Sequence, residues 1–399
     1  MNRRWGWPRL AKRVVIVGGG VGGVASARNI AAEAEKHGLD VEVTLITKES
    51  AHYMPPLFFD VAMGEVSPEE TYAPIENLGK YYGVKVLVDP VTVIDADNHT
   101  VSTASGRMIE YDYLVVALGT AQEWSKYPGL AEAGYHNYTL EGAIQLREAL
   151  KRFKGGNLVI LIPEVPYRCG IYPYEAATVL GQSFRNAGVD AKITVLTPDP
   201  KPVTPLGKDI HKMWFEAFEE LGVEYVVHKG LQEVDPNRRM IVASNVEERF
   251  DLLIKIPPPG LPEPLKNSEG FVWKQDPRFS PAQAPTFRHP DYDNVYMVGE
   301  HSMVPAGISL AGVFVHNASL VATNNILAEL IGFFPRYSMP TATCAGYLKD
   351  KAFMGHCEIR YNPETGKYEW ANRCYLGPIG SLARLFKIGF YKSWLDSLK

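Results

Sequence analysis

A chain of 399 residues is long enough to bury a large core and to divide into two or three domains rather than one. Its formal charge of −4, with 22% charged residues, gives no overall basic field, which excludes nucleic acid as the first partner to consider. The four cysteines, Cys169, Cys344, Cys357 and Cys374, are too few and scattered for a secreted disulfide scaffold, and without a C-x-x-C pair no metal site is expected. No stretch reaches the roughly 20 apolar residues of a membrane span. The basic, aromatic start (Arg3, Arg4, Trp5, Trp7, Arg9, Lys12, Arg13) leads into a strand rather than a removable signal core, so an unexported chain on the cytoplasmic side is expected.

Residues 14–17 form a β-branched run that ends at Gly18, Gly19 and Gly20. After Gly22 and Gly23 an alanine-rich helical stretch extends to about His37, and a second strand follows at 41–46. Strand, tight turn and helix make a compact βαβ unit. In Gly18-x-Gly20-x-x-Gly23 the first glycine permits the turn, the second lets backbone approach a pyrophosphate, and the third allows close helix packing. The helix N-terminus adds N–H groups and a positive dipole end. The acid usual after the second strand is missing; Thr47 and Lys48 stand there and are expected to face the adenosine ribose, the Thr47 hydroxyl bonding it. Segments at 85–88, 91–96 and 99–102 read together as an inserted β-meander, with Val91 lining the cofactor. Residues 113–118 then form a buried strand ending at Gly119 and Thr120.

A second βαβ pattern has strands at 158–162 and 191–196 around a helix from about 174 to 187. A helix at 208–221 and strands at 224–227 and 252–256 follow, and a proline-rich exit (Pro257, Pro258, Pro259, Pro262, Pro264) closes it. The strand at 295–298, with Gly299, Glu300 and a helix from about 309 to 330, returns to the first unit. The fold class expected is α/β, with two Rossmann-like three-layer dinucleotide-binding domains. Residues 1–120 with 286–334 form the cofactor domain, 121–285 the second domain and 335–399 a C-terminal segment. The second domain's turn carries Pro163, Glu164, Pro166, Arg168 and Cys169 where a second glycine motif would lie. Prolines remove N–H donors and a carboxylate repels phosphates, so nicotinamide is not the expected electron source. Cys169, at the head of a predicted helix, is expected to have its thiol pKa lowered by the dipole.

The glycine turn, Gly119-Thr120 and Gly299-Glu300 together resemble the three signatures of the two-dinucleotide-domain flavoproteins, which implies FAD, with Glu300 standing where that family usually has Asp. Within that group, Cys169-Gly170 with Pro173, Tyr174 and Glu175, and Pro340-Thr341-x-x-Cys344, resemble the sulfide:quinone oxidoreductases over nearly the whole chain. The resemblance implies that Cys169 and Cys344 are the redox pair beside the flavin. It implies that Glu175 is a carboxylate on the proton path to the quinone, and that sulfide becomes polysulfide or elemental sulfur while a quinone is reduced. Two departures stand out. Tyr138 occupies the place of a third family cysteine, which rules out a covalent flavin link there. Pro305-Ala306 replaces a family Pro-Lys, so the cation near the flavin comes from elsewhere. Cys357 and Cys374 match no motif and read as packing residues.

From 376 to 399, Leu382, Leu385, Phe386, Phe390, Trp394, Leu395 and Leu398 recur at helical spacing, with Arg384, Lys387, Lys392 and Lys399 on the other side. This reads as an amphipathic segment lying on membrane lipid, Trp394 and Tyr391 at headgroup level and the cations toward an anionic leaflet. The expected protein is a peripheral membrane enzyme, open to homo-oligomerisation. Alternatives are a type II NADH:quinone dehydrogenase, the flavoprotein subunit of a sulfide dehydrogenase, and a non-catalytic flavin-binding scaffold.

Overall fold

The computed structural model describes residues 11–203, 206–333 and 342–399; the N-terminal residues Arg3, Arg4, Trp5, Trp7 and Arg9 and the motif residues Pro340 and Thr341 lie outside them. One sheet is parallel and five-stranded, in the order Val295–Met297, Tyr113–Val116, Lys12–Val17, Val41–Thr47, Lys85–Val88. Its strands are continuous apolar runs, as a sheet covered on both faces requires. The helices Val21–His37 and Gly312–Ile331 pack against each other over it. A second parallel sheet has the order Glu224–Val227, Ala191–Thr197, Gly156–Leu161, Leu252–Lys255.

The segment Lys85–Val88 is not part of the meander. It pairs in parallel with Val41–Thr47, from Thr44 opposite Lys85 to Thr47 opposite Val88, while the meander consists of Val91–Asp95, Thr100–Thr103 and Met108–Glu110. A four-residue apolar run carries too little periodicity to tell a sheet edge from a hairpin.

The C-terminal part is a three-stranded antiparallel sheet, Ala342–Leu348, Lys351–Asn362 and Lys367–Gly380, followed by the helix Ser381–Asp396. Cys357 lies directly opposite Cys374 on neighbouring strands and the two are disulfide-bonded. They are therefore a cross-strand pair, not two isolated packing residues.

The last helix divides differently from the sequence expectation. Leu382, Leu385, Phe386 and Phe390 are exposed. Leu395 and Leu398 are buried, Tyr391 packs into the core, and the Trp394 indole donates to His52 Nε2 at 2.9 Å. Trp394 and Tyr391 thus face the protein, because their rings close the first domain's core. The four cations are also committed: Arg384 pairs with Glu65, Lys387 with Glu175, Lys392 with Glu70 and Lys399 with Asp396.

Candidate active site

Three glycine turns meet where three adjacent strands end. Gly18 follows Val17, Gly119 comes three residues after Val116, and Gly299 lies two beyond Met297, at the carboxyl edge where an open α/β sheet binds ligands. Gly18 has φ +111°, reserved in practice for glycine. A methyl on Gly299 would come within 2.8 Å of the Gly119 nitrogen, and one on Gly23 would collide with the Gly18 carbonyl oxygen. Gly20 differs, because a methyl there would meet nothing within 4 Å. It faces the open side, and the helix behind it has neither a capping side chain nor an acid in its first turn. Unpartnered N–H groups beside a bare backbone fit a pyrophosphate. Gly20→Ala should accordingly leave the melting temperature of the FAD-free protein unchanged and weaken FAD retention about tenfold, measured by flavin fluorescence on dilution.

The other expected cofactor residues are placed as follows. Thr47 Oγ1 bonds locally to the backbone of Glu49 at 3.3 Å and packs under Gly19. Lys48 is exposed beside Glu49. Val91 is buried in an apolar cluster with Val17 and Ile46. Thr120 leads into a short strand, Ala121–Gln122. The Glu300 carboxylate takes an ion pair from Arg168 at 2.9 Å, which joins the Gly299 turn to the residue before Cys169. Glu164 is likewise not a bare charge, being paired with Lys126 and Arg278 and bonded by Tyr127. That network, rather than repulsion, occupies the turn where a second dinucleotide would sit.

Cys169 has φ +59°, and its N–H donates to Leu310 O at 2.8 Å. Cys344 lies on the strand Ala342–Leu348. Both cysteines are free and keep some exposed surface. Burial, then Glu175 and Cys344, push the Cys169 thiol up to about 12, against the pull of Lys387; burial and Glu175 push the Cys344 thiol up to about 11, with Lys387 again opposing. This corrects the expected dipole effect. The helix begins at Tyr172, three residues past Cys169, and a helix terminus is worth about 0.3–1 kcal/mol, less than the desolvation of a buried thiolate.

Around the sulfurs lies a buried ionic cluster. Glu175 Oε1 accepts from Lys387 Nζ and from the Tyr347 backbone N–H, each at 2.6 Å. Lys387 Nζ sits 3.6 Å from the centre of the Tyr347 ring, whose hydroxyl donates to Asp60. Asp60 Oδ2 is buried with no partner among the described residues. Burial lifts the Asp60 carboxyl to about 6, against the opposing pull of Lys387 and the Tyr347 hydrogen bond. Lys387, Tyr347 and Asp60 were not legible as site residues; the only signal was a lysine within the turn of helix that also carries Leu385 and Phe386.

The Asp60 value predicts a pH dependence. Its folded pKa lies above the ordinary 3.8, so its stabilising contribution is complete below about pH 3.8 and is lost as pH rises through about 6. Asp60→Asn should therefore gain stability relative to wild type across that window, approaching about 3 kcal/mol at its upper end. Denaturant midpoints read at several pH values check this, and a pH-independent difference would reject it.

The model of the family described as pyridine nucleotide-disulphide oxidoreductase matches residues 12–255. The chain belongs to that family. This oxidoreductase is 25% identical over 346 residues to the sulfide-quinone reductase of Aquifex aeolicus, covering 80% of this chain and 77% of the relative. It is 26% identical over 361 residues to the type II NADH:quinone oxidoreductase Ndh of Mycobacterium tuberculosis, covering 84% and 76%. The crystal structure of the Aquifex aeolicus sulfide:quinone oxidoreductase superposes with a TM-score of 0.84 at 24% identity, over 97% of this chain and 91% of that one. These similarities agree with the resemblance read from the cysteine motifs. The oxidoreductase is an FAD-binding flavoprotein, and none of its described helices is long and apolar enough to cross a membrane.

Proposed function

We propose that this enzyme oxidises sulfide to polysulfide or elemental sulfur and reduces a membrane quinone by two electrons, using Cys169 and Cys344 as its redox pair. The observation that carries the reading is that one buried ion pair ties the surroundings of two free cysteines together: Glu175, six residues after Cys169, accepts from Lys387 and from the N–H of Tyr347 on the strand of Cys344, beside a turn tied to Glu300. Burial disfavours both thiolates, so the reduced pair rests as uncharged thiols; in the oxidised enzyme, its two electrons passed on to quinone, the pair is a neutral sulfur bridge. Hydrosulfide sulfur then bonds to one sulfur of that bridge, the bridging S–S bond breaks, and its electron pair leaves on the other cysteine as thiolate. Lys387 stands where its charge offsets that thiolate. Glu175 is the base that can hold the proton released at the sulfurs and return it toward the quinone. FAD, when bound, supplies the two-electron acceptor between sulfide and quinone.

Type II NADH dehydrogenation is the competing reading. Against it stands the turn after Gly156–Leu161, where Glu164, Lys126, Arg278 and Tyr127 close on one another in place of free backbone donors. Anaerobic sulfide should bleach the flavin and a short-chain quinone should restore its colour. Rapid bleaching by NADH together with silence toward sulfide would defeat the proposal.

The exposed Leu382, Leu385, Phe386 and Phe390 support a peripheral membrane location. Because the helix cations are all paired, attachment should depend on apolar burial and little on lipid charge. Phe386→Ser with Phe390→Ser should lower vesicle partitioning about 100-fold or more, two buried aromatic rings at about 1.5–3 kcal/mol each. Wild-type partitioning should be similar on neutral and anionic vesicles.

A further inference from the structure

One buried hydroxyl next to the cysteines has nothing to bond. Tyr172 is the first residue of the helix Tyr172–Ala187, 4% exposed, and its Oη has no hydrogen-bond partner among the described residues. A buried hydroxyl without a partner is destabilising. The ring is held edge-on by Tyr138 at 5.8 Å and by Phe59 at 5.5 Å, contacts that a phenylalanine would make equally well.

The hydroxyl belongs to the electrostatic surroundings of Cys169. After burial, the charge that most affects Tyr172 is that of Cys169, followed by Glu175. The two residues are locked together, since the Tyr172 N–H donates to the Cys169 carbonyl at 3.0 Å and Cys169 itself sits in the left-handed region at φ +59°. A strained backbone at a reactive residue fixes where its side chain is presented. Yet Oη makes no hydrogen bond to the Cys169 sulfur or to any other described group. The neighbouring phenol of Tyr138 is also buried, but it is satisfied by the Arg168 carbonyl at 2.9 Å. Only the Tyr172 hydroxyl is left open on this side of Cys169 among these aromatic rings.

We propose that Tyr172 Oη is the hydrogen-bond donor for an outer sulfur atom carried on Cys169, and so helps determine how firmly the enzyme holds its first sulfur. The inference rests on the sulfide reading above. In the step it serves, hydrosulfide sulfur bonds to Cys169 Sγ, the bond from Cys169 to Cys344 breaks, and Cys344 leaves as thiolate. The new terminal sulfur on Cys169 is an acceptor one bond beyond Sγ, which the side chain does not offer before sulfide binds. A hydrogen bond to such a charged or strongly polarised sulfur belongs to the stronger class.

The test compares FAD-loaded wild type with Tyr172→Phe. Before sulfide is added, the variant should melt at the same temperature as wild type or higher, because it loses an unsatisfied donor and keeps the ring contacts. A lower melting temperature would mean that the hydroxyl has a structural partner, and would overturn the proposal. Sulfide is then added anaerobically, the protein is alkylated, and the Cys169 peptide is weighed to read the extra sulfur. The sulfide concentration giving half occupancy should rise about tenfold in the variant, and an unchanged half-occupancy would also overturn it. The wild-type flavin signal separates the two levels. If sulfide neither bleaches wild type nor loads its Cys169, the sulfide reading falls and this inference with it; if wild type responds and the variant matches it, only the role of Tyr172 falls.

Discussion

Cys169→Ser and Cys344→Ser should each lower sulfide-dependent quinone reduction about a thousandfold or more while the purified protein stays yellow with bound FAD. The expected size is that of losing a covalent nucleophile, and the two losses should not add, because a bridge needs both sulfurs. FAD retention follows from position. The glycine turns that fit the cofactor lie at the ends of Lys12–Val17, Tyr113–Val116 and Val295–Met297, whereas Cys169 lies in the turn after Gly156–Leu161 and Cys344 on the strand Ala342–Leu348. Stopped-flow absorbance at the flavin band with sulfide, followed by steady-state quinone reduction, measures both halves. A serine variant that still bleaches with sulfide at the wild-type rate would remove the cysteines from the mechanism.

The strand, glycine turn and helix at the start of the chain were legible in the sequence, because every constraint on them is local. Gly18 needs positive φ, Gly23 needs room against the Gly18 carbonyl, and Gly20 needs an open face, all within one strand–turn–helix. The two cysteines proposed as the redox pair stand out in the sequence only through motif resemblance, since no local property separates Cys169 from an inert thiol. What stayed hidden depends on contacts distant in sequence. Cys357 meets Cys374 only because the register of two antiparallel strands places them opposite each other. Periodicity gave the last helix an apolar stripe and a charged stripe, but it could not say that Trp394 would reach His52 or that Lys387 would turn inward. Lys387 joins Glu175 across 212 residues. The expectation for the Cys169 thiol failed for a related reason: the dipole was visible in the sequence and the burial that outweighs it was not.

Lys387→Met should destabilise the protein by about 3–5 kcal/mol, the cost of leaving one member of a buried ion pair without its partner. The variant keeps an apolar stem of similar length over the Tyr347 ring, so lost packing contributes little, and the stranded group is the Glu175 carboxylate with only the Tyr347 N–H to hold it. Removing both charges should therefore do less harm than removing one. Glu175→Gln combined with Lys387→Met is expected to recover much of the stability, since neither buried charge then lacks compensation. Thiol reactivity should follow the charges as well. Lys387 opposes the rise of both thiols, while Glu175 drives it and is the larger of the two influences, so alkylation of Cys169 and Cys344 in the reduced protein should slow in Lys387→Met and return to the wild-type rate or above it in the double variant. Melting curves and iodoacetamide kinetics on wild type and the two variants read both effects. If Lys387→Met loses stability but alkylates at the wild-type rate, Lys387 is only a structural counterion; if alkylation slows in the single variant and recovers in the double, its charge acts on the sulfurs.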